Sequence, residues 1–269
     1  MARPFRLYHG DCLEILESLP PESVDLVFAD PPYNLSNDGF TCQGGRMVSV
    51  NKGDWDKSKG FNLDVAFHHS WLWACRRVLK PNGALWVSGT YHSIYACGHA
   101  LQFLGYHILN DICWFKPNAS PNLSCRFFTA SHETLIWAKK SKKAKHTFNY
   151  PAMKDGSFPE DKLKEAGKQM RTAWVIPTTP QSEKVHGKHP TQKPMALLER
   201  IILASTNAGD IVLDPFSGSG TTGVAAVKHG RKFVGIEKEK EFVMLSQKRL
   251  ESAVAKVVVE PKHTRKKAS

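Results

Sequence analysis

The segment DIVLDPFSGSGTTGVAAVKHGRKFVGIE, residues 210–237, constrains the fold of this chain more than any other. It reads as an apolar run, a glycine turn, a helical pattern and a second apolar run that ends at Glu237. Gly218, Gly220 and Gly223 match the pattern G-x-G-x-x-G, and Glu237 lies 19 positions beyond Gly218. This spacing is typical of a strand, turn, helix and strand that hold a nucleoside, with the acid on the ribose hydroxyls. A turn with only a structural role is the alternative, and the lack of Gly-Lys-Ser/Thr argues against a P-loop.

Short apolar runs alternate with helical patterns along the rest of the 269-residue chain. Runs that are apolar on both faces and alternate with helices indicate a mostly parallel sheet covered on both sides. We therefore predict one α/β domain with a doubly wound sheet. Two segments interrupt the alternation: residues 36–62 are rich in Gly, Asn and Asp, and residues 140–188 are basic and contain several prolines. Such long excursions from a sheet usually carry binding surfaces.

The formal charge of +12 lies mostly outside the regular α/β parts. Residues 139–189 contain 12 Lys and Arg against 5 Asp and Glu, and the tail 256–269 contains 5 against 1. Basic side chains displace counterions from phosphates, so nucleic acid is the expected partner. The alternative is that these segments are a solvated turn and a frayed tail. The sequence has no run of 18 apolar residues and no apolar N-terminal segment, so we expect no membrane association and a cytoplasmic location.

The glycine turn also indicates which nucleoside cofactor is bound. Only one strand and one helix follow the turn, whereas a dinucleotide dehydrogenase carries it early in the chain. The turn contains Asp214 and Phe216. A helix N-terminus can hold a carboxylate, and an aromatic ring suits a sulfonium. S-adenosylmethionine therefore fits better than NAD.

Three motifs follow one another along the chain: ADPPYNL at 29–35, HPTQKP at 189–194 and DPFSGSGTTGVAA at 214–226. In this order they resemble the β-class DNA amino-methyltransferases, and especially the DpnA-like N6-adenine enzymes of restriction-modification systems. The resemblance extends over nearly the whole chain and implies a Rossmann-like methyltransferase fold with permuted motif order. It divides the chain into a catalytic half (1–139), an inserted target-recognition region (140–188), a cofactor-binding half (189–255) and a basic tail (256–269).

The resemblance also implies which residues form the active site. The D-P-P-Y turn, Asp30, Pro31, Pro32 and Tyr33, corresponds to the catalytic motif. S-adenosylmethionine is expected to contact the turn after the first strand, the H-P-T-Q-K-P segment, the glycine turn and the acid that follows it. These cofactor-binding residues are Asp11, Cys12, Thr191, Lys193, Asp214, Phe216, Ser217, Gly218, Ser219, Gly220, Thr221, Thr222 and Glu237.

The D-P-P-Y turn suits the chemistry of an exocyclic amine. The amino nitrogen of adenine is a poor nucleophile because its lone pair is delocalised into the ring. If Asp30 and the carbonyl of Pro31 accept its two hydrogens, the lone pair can point at the methyl group. Proline removes a competing N–H donor from the turn, and Tyr33 is expected to stack on a base flipped from the duplex. The reaction needs no metal, and the six cysteines, none at C-x-x-C spacing, predict no metal site.

Neighbouring activities are the alternatives. Methylation at cytosine C5 needs a cysteine that follows a proline, and no cysteine of this sequence does so. The N4-cytosine enzymes of this class usually begin the motif with Ser, so Asp30 favours adenine and leaves N4-cytosine as the alternative. An NAD-dependent oxidoreductase leaves D-P-P-Y and H-P-T-Q-K-P without roles. A catalytically silent DNA-binding module is a further alternative. The sequence argues against it, because every motif residue is intact and such a module does not need them.

DNA is the expected partner of the basic insertion and of the long loop after Tyr33. The insertion has the position and the charge of a target-recognition region, and the loop is expected to close over DNA. Trp174 either stacks on DNA or belongs to a small satellite core. The resemblance suggests GATC as the target, and it raises a homodimer and a cognate restriction endonuclease as partners. The predicted DNA-binding residues are Arg46, Lys52, Trp55, Lys140, Lys142, Lys143 and Arg171.

Overall fold

The computed structural model describes residues 3–33, 36, 40–43, 46–49, 53 and 56–259 of the chain. Its strands are β1 (Phe5–His9), β2 (Val24–Ala29), β3 (Phe40–Gln43), β4 (Arg46–Ser49), β5 (Leu79–Gly89), β6 (His107–Phe115), β7 (His132–Lys139), β8 (Ala173–Val175), β9 (Ile211–Asp214) and β10 (Lys232–Glu237). Eight of them form one sheet in the order β1, β10, β9, β2, β5, β7, β6, β8, and β3 pairs with β4 as a separate antiparallel ribbon.

Helices cover both faces of the main sheet. They are α1 (Cys12–Ser18), α2 (Phe61–Val78), α3 (Ile94–Phe103), α4 (Tyr150–Asp155), α5 (Met195–Ser205), α6 (Thr221–Lys228) and α7 (Lys240–Val259). Side chains alternate along β2, so Leu26 and Phe28 join the core under α5, α6 and α7, while Val27 packs on the opposite face with Trp71 of α2. Apolar side chains on both faces of a strand require helices on both sides. The predicted doubly wound α/β fold is therefore confirmed.

The directions of the strands bring the segments that follow the parallel strands to one edge of the sheet. The strands β1, β10, β9, β2 and β5 are mutually parallel, whereas β7 runs antiparallel to both β5 and β6, and β8 is parallel to β6. The seven parallel strands therefore end at the same edge, which we call the carboxyl edge. The antiparallel strand β7 contributes its first residues to that edge instead of its last.

The predicted target-recognition insertion is partly built into the main core. Its strand β8 joins the sheet beside β6, and the ring of Trp174 lies 5.9 Å from that of Trp86. Asp161 forms a buried ion pair of 2.6 Å with Arg200 of α5. Trp174 therefore belongs to the main core and not to a satellite core.

Some predicted features lie outside the described residues. These are Lys52, Trp55, the side chain of Arg46 and the tail from residue 260 onward. Of the helices in the described ranges, none combines the length and the apolar content that crossing a membrane requires.

Candidate active site

A cavity of about 780 Å³ opens at the carboxyl edge. Open α/β sheets bind ligands in the crevice outside the carboxyl ends of their strands. The cavity lies between the segments that follow β1, β2, β9 and β10, with the first turns of α2 and residues 189–193 as further walls. The predicted residues that line it are Asp11, Cys12, Asp30, Pro32, Thr191, Lys193, Asp214, Phe216, Ser217, Gly218, Ser219, Thr221, Thr222 and Glu237. The buried residues Pro31, Tyr33 and Gly220 do not line it.

The glycine turn between β9 and α6 has the conformation that its sequence predicts. Gly218 and Gly220 have φ angles of 50° and 74°, in the left-handed region that side chains disfavour. A Cβ atom on Gly220 would also overlap the hydroxyl of Ser246 in α7. Gly223 serves packing, because a Cβ there would overlap the ring of Phe233. The turn therefore exposes its backbone to the cavity and lets α6 lie close to the sheet.

Two acids hold the glycine turn in place. Glu237 accepts the N–H of Gly218 with one carboxylate oxygen and the N–H of Glu239 with the other, both at 2.8 Å. Asp214 accepts the N–H of Phe216 at 3.0 Å and the hydroxyl of Thr222 at 2.6 Å. Burial raises the pKa of Asp214 to about 7 although both hydrogen bonds oppose the shift. Each carboxylate oxygen has a second lone pair, so Glu237 can still accept a ribose hydroxyl.

Phe67 and Phe216 give the cavity an aromatic wall. The ring of Phe216 packs edge-on against Trp71 at 5.4 Å and lies 6.1 Å from Phe67. Asp11 caps α1 by accepting the N–H of Leu13 at 2.9 Å. Burial raises the pKa of the neighbouring Cys12 thiol to about 12, so this cysteine stays neutral. A neutral thiol beside aromatic rings suits the flat, apolar face of a purine better than it suits nucleophilic chemistry.

A buried polar cluster lies beside the cavity around Asp30. The ammonium of Lys193 is 2.5 Å from Asp30 Oδ2, and the hydroxyl of Tyr33 donates to Asp30 Oδ1 at 2.6 Å. Glu133, at the start of β7, lies 3.6 Å from Lys193 and 2.9 Å from the same hydroxyl. Lys116 pairs with the other oxygen of Glu133 at 3.0 Å. Two carboxylates and two ammonium groups thus neutralise each other in a site removed from water.

The charges in this cluster are distributed unequally. Burial raises the pKa of Asp30, and the attraction of Lys193 does not fully cancel the effect of burial and of the nearby Glu133. Burial also disfavours ionised Glu133, but Lys193 and Lys116 more than offset it and lower its pKa to about 2. The pKa of Lys193 is raised because Asp30 and Glu133 outweigh its own burial. Asp30 is therefore the more basic carboxylate, and Glu133 is firmly ionised.

Sequence patterns did not identify Glu133, Lys116 or Ser88, whose hydroxyl is 2.9 Å from that of Tyr33. The only signal was a carboxylate at the start of an apolar strand, in HETLIWAKK, and a lysine just after the preceding strand. Lys116 reaches the carboxyl edge because β6 ends there, and Glu133 reaches it because the antiparallel β7 begins there. Lys193 lines the predicted cofactor cavity, but its ammonium pairs with Asp30. Stacking of a base on Tyr33 stays a prediction, since this ring is buried and lies 5.0 Å from the Lys193 ammonium.

Three of the predicted DNA-binding lysines, all within the described residues, lie away from this site. Lys140, Lys142 and Lys143 follow the end of β7, at the opposite edge of the sheet, about 25 Å from Glu133 along an eight-residue strand. The ammonium of Lys140 bonds to the carbonyl of Leu79 at 2.5 Å and pairs with Glu22 at 3.1 Å. Arg171 is exposed and precedes β8, and Arg46 lies in β4. Their roles in DNA binding stay predictions.

Comparison with known proteins agrees with this geometry. The family profile of the N6/N4 DNA methylases, described as DNA methylase, matches residues 24–248. The chain is 54% identical over 245 residues to the Type II methyltransferase M2.LlaDCHI of Lactococcus lactis subsp. cremoris. This alignment covers 91% of this chain and 88% of that protein. It is 53% identical over 247 residues to the Type II methyltransferase M2.DpnII of Streptococcus pneumoniae, covering 91% and 89%.

A solved structure adds the cofactor. The crystal structure of the M1.HpyAVI–SAM complex superimposes with a TM-score of 0.65 at 31% identity, covering 91% of this chain and 98% of that one. The fold, the cavity and the order of the motifs agree with these similarities. The chain therefore belongs to the N6/N4 DNA methylase family and is a DNA methyltransferase that uses S-adenosylmethionine.

Proposed function

We propose that this chain transfers a methyl group from S-adenosylmethionine to the N6 amino group of an adenine flipped out of DNA. The observation that supports this most is the placement of two motifs on neighbouring strands. The strand β2 pairs with β9, with Val27 opposite Leu213, so Asp30 and Phe216 follow the paired strands at equal distance and line one cavity. An acceptor for the amine and a wall for the cofactor therefore face the same space.

The cavity fits the cofactor. Its volume of about 780 Å³ lies within the range of small-molecule sites. We assign Cys12, Asp11 and Phe216 to the adenine end, Glu237 to the ribose hydroxyls, and the glycine turn and Thr191 to the rest. S-adenosylmethionine supplies an electrophilic methyl group on a sulfonium. The acids Asp214 and Glu237 suit the positive charge of such a ligand.

Asp30 is the residue we assign to the amine. It already accepts Tyr33 and Lys193, and each of its oxygens has a further lone pair for an N–H of adenine. We assign the second N–H to the carbonyl of Pro31, to which no donor among the described residues bonds. The two acceptors orient the nitrogen, and orientation of this kind contributes up to about 10 kcal/mol to rate enhancement.

The reaction releases one proton from the methylated nitrogen. Asp30 is placed to take it, because burial raises the pKa of this carboxyl. Tyr33 and Lys193 bond to the carboxylate and fix its orientation. Pro32 lines the cavity without offering an N–H that would compete for Asp30.

Adenine and not cytosine is proposed because the motif begins with Asp30. The N4-cytosine reaction is the alternative within the family. Since the relatives are named Type II methyltransferases, we also propose that the chain acts in a restriction-modification system with a cognate endonuclease. GATC as target and a homodimer remain predictions that rest on the resemblance of the sequence motifs.

Substitution of Asp30 tests this mechanism. We expect Asp30→Ala and Asp30→Asn to lower methyl transfer by on the order of a thousandfold, because both lose the base and Asp30→Ala also loses the acceptor. Binding of S-adenosylmethionine, measured by calorimetry, should stay close to that of the unaltered protein. Lys193 keeps Glu133 as partner at 3.6 Å, so the variants should fold.

Analysis of the reaction product tests which base is methylated. Nucleoside mass spectrometry of methylated DNA should show N6-methyladenine. Undiminished activity of Asp30→Ala contradicts the mechanism, and N4-methylcytosine as product contradicts the proposed base. Sequencing of DNA from cells that express the gene, with detection of modified bases, identifies the target.

A further inference from the structure

The loop between β6 and β7, residues 116–131, projects two phenylalanines into solvent. Phe128 is 98% exposed and Phe127 is 70% exposed, and Arg126 beside them is also exposed. A single exposed apolar side chain is ordinary. Two adjacent phenyl rings next to an arginine form an apolar projection that carries a positive charge. These side chains are not part of the buried polar cluster around Asp30.

Hydrogen bonds within the loop hold this projection. The N–H of Lys116 donates to the carbonyl of Ser131 at 2.7 Å and closes the base of the loop. The side-chain amide of Asn122 donates to the backbone carbonyl of Phe127 at 2.8 Å, and its Oδ1 accepts the N–H of Ser124 at 3.0 Å. These bonds order the backbone of the loop that carries Phe127 and Phe128. Order that exists before binding lowers the conformational cost of binding.

The loop begins beside the buried polar cluster around Asp30. It begins after the last residue of β6 and ends at the first residue of β7, so both of its ends lie at the carboxyl edge. Lys116, its first residue, is 3.0 Å from Glu133, and Glu133 is connected to Asp30 through Lys193. A duplex that delivers a base to Asp30 approaches the same edge of the sheet from which this loop projects.

We infer that Phe128 inserts into the DNA duplex beside the target and takes the stacking position that the flipped adenine leaves. This inference rests on the proposed base flipping. Flipping breaks stacking on both neighbours of the target, and apolar side chains that enter base steps stabilise such distorted DNA. A phenyl ring stacks on any base and needs no hydrogen bonds. Phe127 supports the inserted ring, and Arg126 contacts the adjacent phosphate.

The proposed insertion of Phe128 is tested with DNA substrates that differ only in whether the target base is paired. We expect Phe128→Ala to lower kcat/KM on a fully paired duplex by on the order of tenfold, because one base-aromatic stack is lost. On a single strand, or on a duplex with the target base unpaired, kcat/KM should change by less than about twofold. With 2-aminopurine at the target position, the variant should show a smaller fluorescence increase on binding. Phe128→Trp should retain activity on paired DNA, since a larger aromatic ring can stack.

Phe103 provides the matched control. It is 72% exposed, but it ends α3, which runs from the carboxyl edge to the opposite edge of the sheet. Phe103→Ala should leave methylation of paired and unpaired substrates unchanged. An equal loss on paired and unpaired DNA for Phe128→Ala, or no loss on paired DNA, would overturn the inference. Weaker binding of S-adenosylmethionine in this variant would do the same. The identity of the methylated base is read separately, so failure of the proposed function and failure of this inference are distinguishable.

Discussion

Asp30 and Glu133 are both buried carboxylates, yet their surroundings push their pKa values in opposite directions. Glu133 has two ammonium partners, Lys193 and Lys116, whereas Asp30 shares one of them. Burial dominates at Asp30 and raises its pKa, while the lysines dominate at Glu133 and lower its pKa to about 2. Two carboxyl groups whose pKa values are pushed apart are typical of a site in which one acts as a base and the other only as a charge.

Changing these charges should move the acid limb of the pH-rate profile. Ionised Glu133 raises the pKa of Asp30, so Glu133→Gln should lower this pKa and shift the loss of activity to lower pH. Lys193→Met removes the attraction that stabilises the Asp30 carboxylate, so its acid limb should shift to higher pH. We expect Glu133→Gln also to lower kcat roughly tenfold, because Lys193 and Tyr33 lose a charged hydrogen-bond partner.

Measured profiles of kcat/KM against pH for the two variants check this expectation. Shifts in the same direction, or an unchanged limb with only a lower rate, would indicate a purely structural role. Lys193→Arg keeps the charge and serves as the control, so its limb should lie closest to that of the unaltered protein.

The first turn of α6 requires both a special backbone conformation and close packing. Gly220 caps this helix with φ at 74°, and its Cα faces Ser246 of α7. Gly230, just after α6, has a φ of 76°, but no atom of the described residues lies within 4 Å of the position that a Cβ would take there. The two glycines therefore share the conformational requirement and differ in the available space. Comparing the two positions therefore separates the free-energy cost of a strained backbone from the cost of a steric overlap.

Alanine at each of these glycines should have different effects. We expect Gly230→Ala to lower the free energy of unfolding by about 1 to 2 kcal/mol, the cost of a left-handed alanine. Gly220→Ala should lower it by more, because the added methyl group also displaces Ser246 and moves the glycine turn. Gly220→Ala should weaken binding of S-adenosylmethionine, whereas Gly230→Ala should not. Urea denaturation and calorimetry measure both effects, and equal losses for the two variants would contradict the packing argument.

Basic side chains lie at both edges of the sheet, whereas the candidate active site lies at the carboxyl edge. The basic stretch after β7 includes the exposed Lys142 and Lys143 at the edge opposite Asp30. Arg126, by contrast, lies in the loop at the carboxyl edge. Phosphate contacts depend on which surface faces the duplex when a base enters the cavity.

Charge reversal at each edge should therefore differ in its effect. We expect the double variant Lys142→Glu and Lys143→Glu to change kcat/KM by less than about twofold. Arg126→Glu should weaken DNA binding and reduce the slope of log K against log salt by about 0.9, the value for one phosphate contact. Binding titrations at several salt concentrations measure these slopes. A reduced slope for the lysine variant would instead support the predicted DNA contact of these lysines.

Local patterns were sufficient to predict the fold class and the cofactor-binding turn. The glycine spacing, the acid 19 positions after Gly218 and the alternation of apolar runs each follow from a few consecutive residues. For the same reason the D-P-P-Y turn was recognisable in the sequence. The structure places Asp30 and the glycine turn on one cavity because parallel neighbouring strands end at the same edge.

Only the tertiary structure decided which side chains surround Asp30. Glu133 is more than a hundred positions from Asp30, and its place depends on the antiparallel direction of β7, which a single apolar strand does not reveal. The same strand direction carries the lysines after β7 to the opposite edge and the Phe127 and Phe128 loop to the carboxyl edge. The sequence by itself determined the elements and the motif residues, because these depend on local periodicity and turn chemistry. The charge balance of the site was decided by strand order and direction, which arise from packing between distant segments.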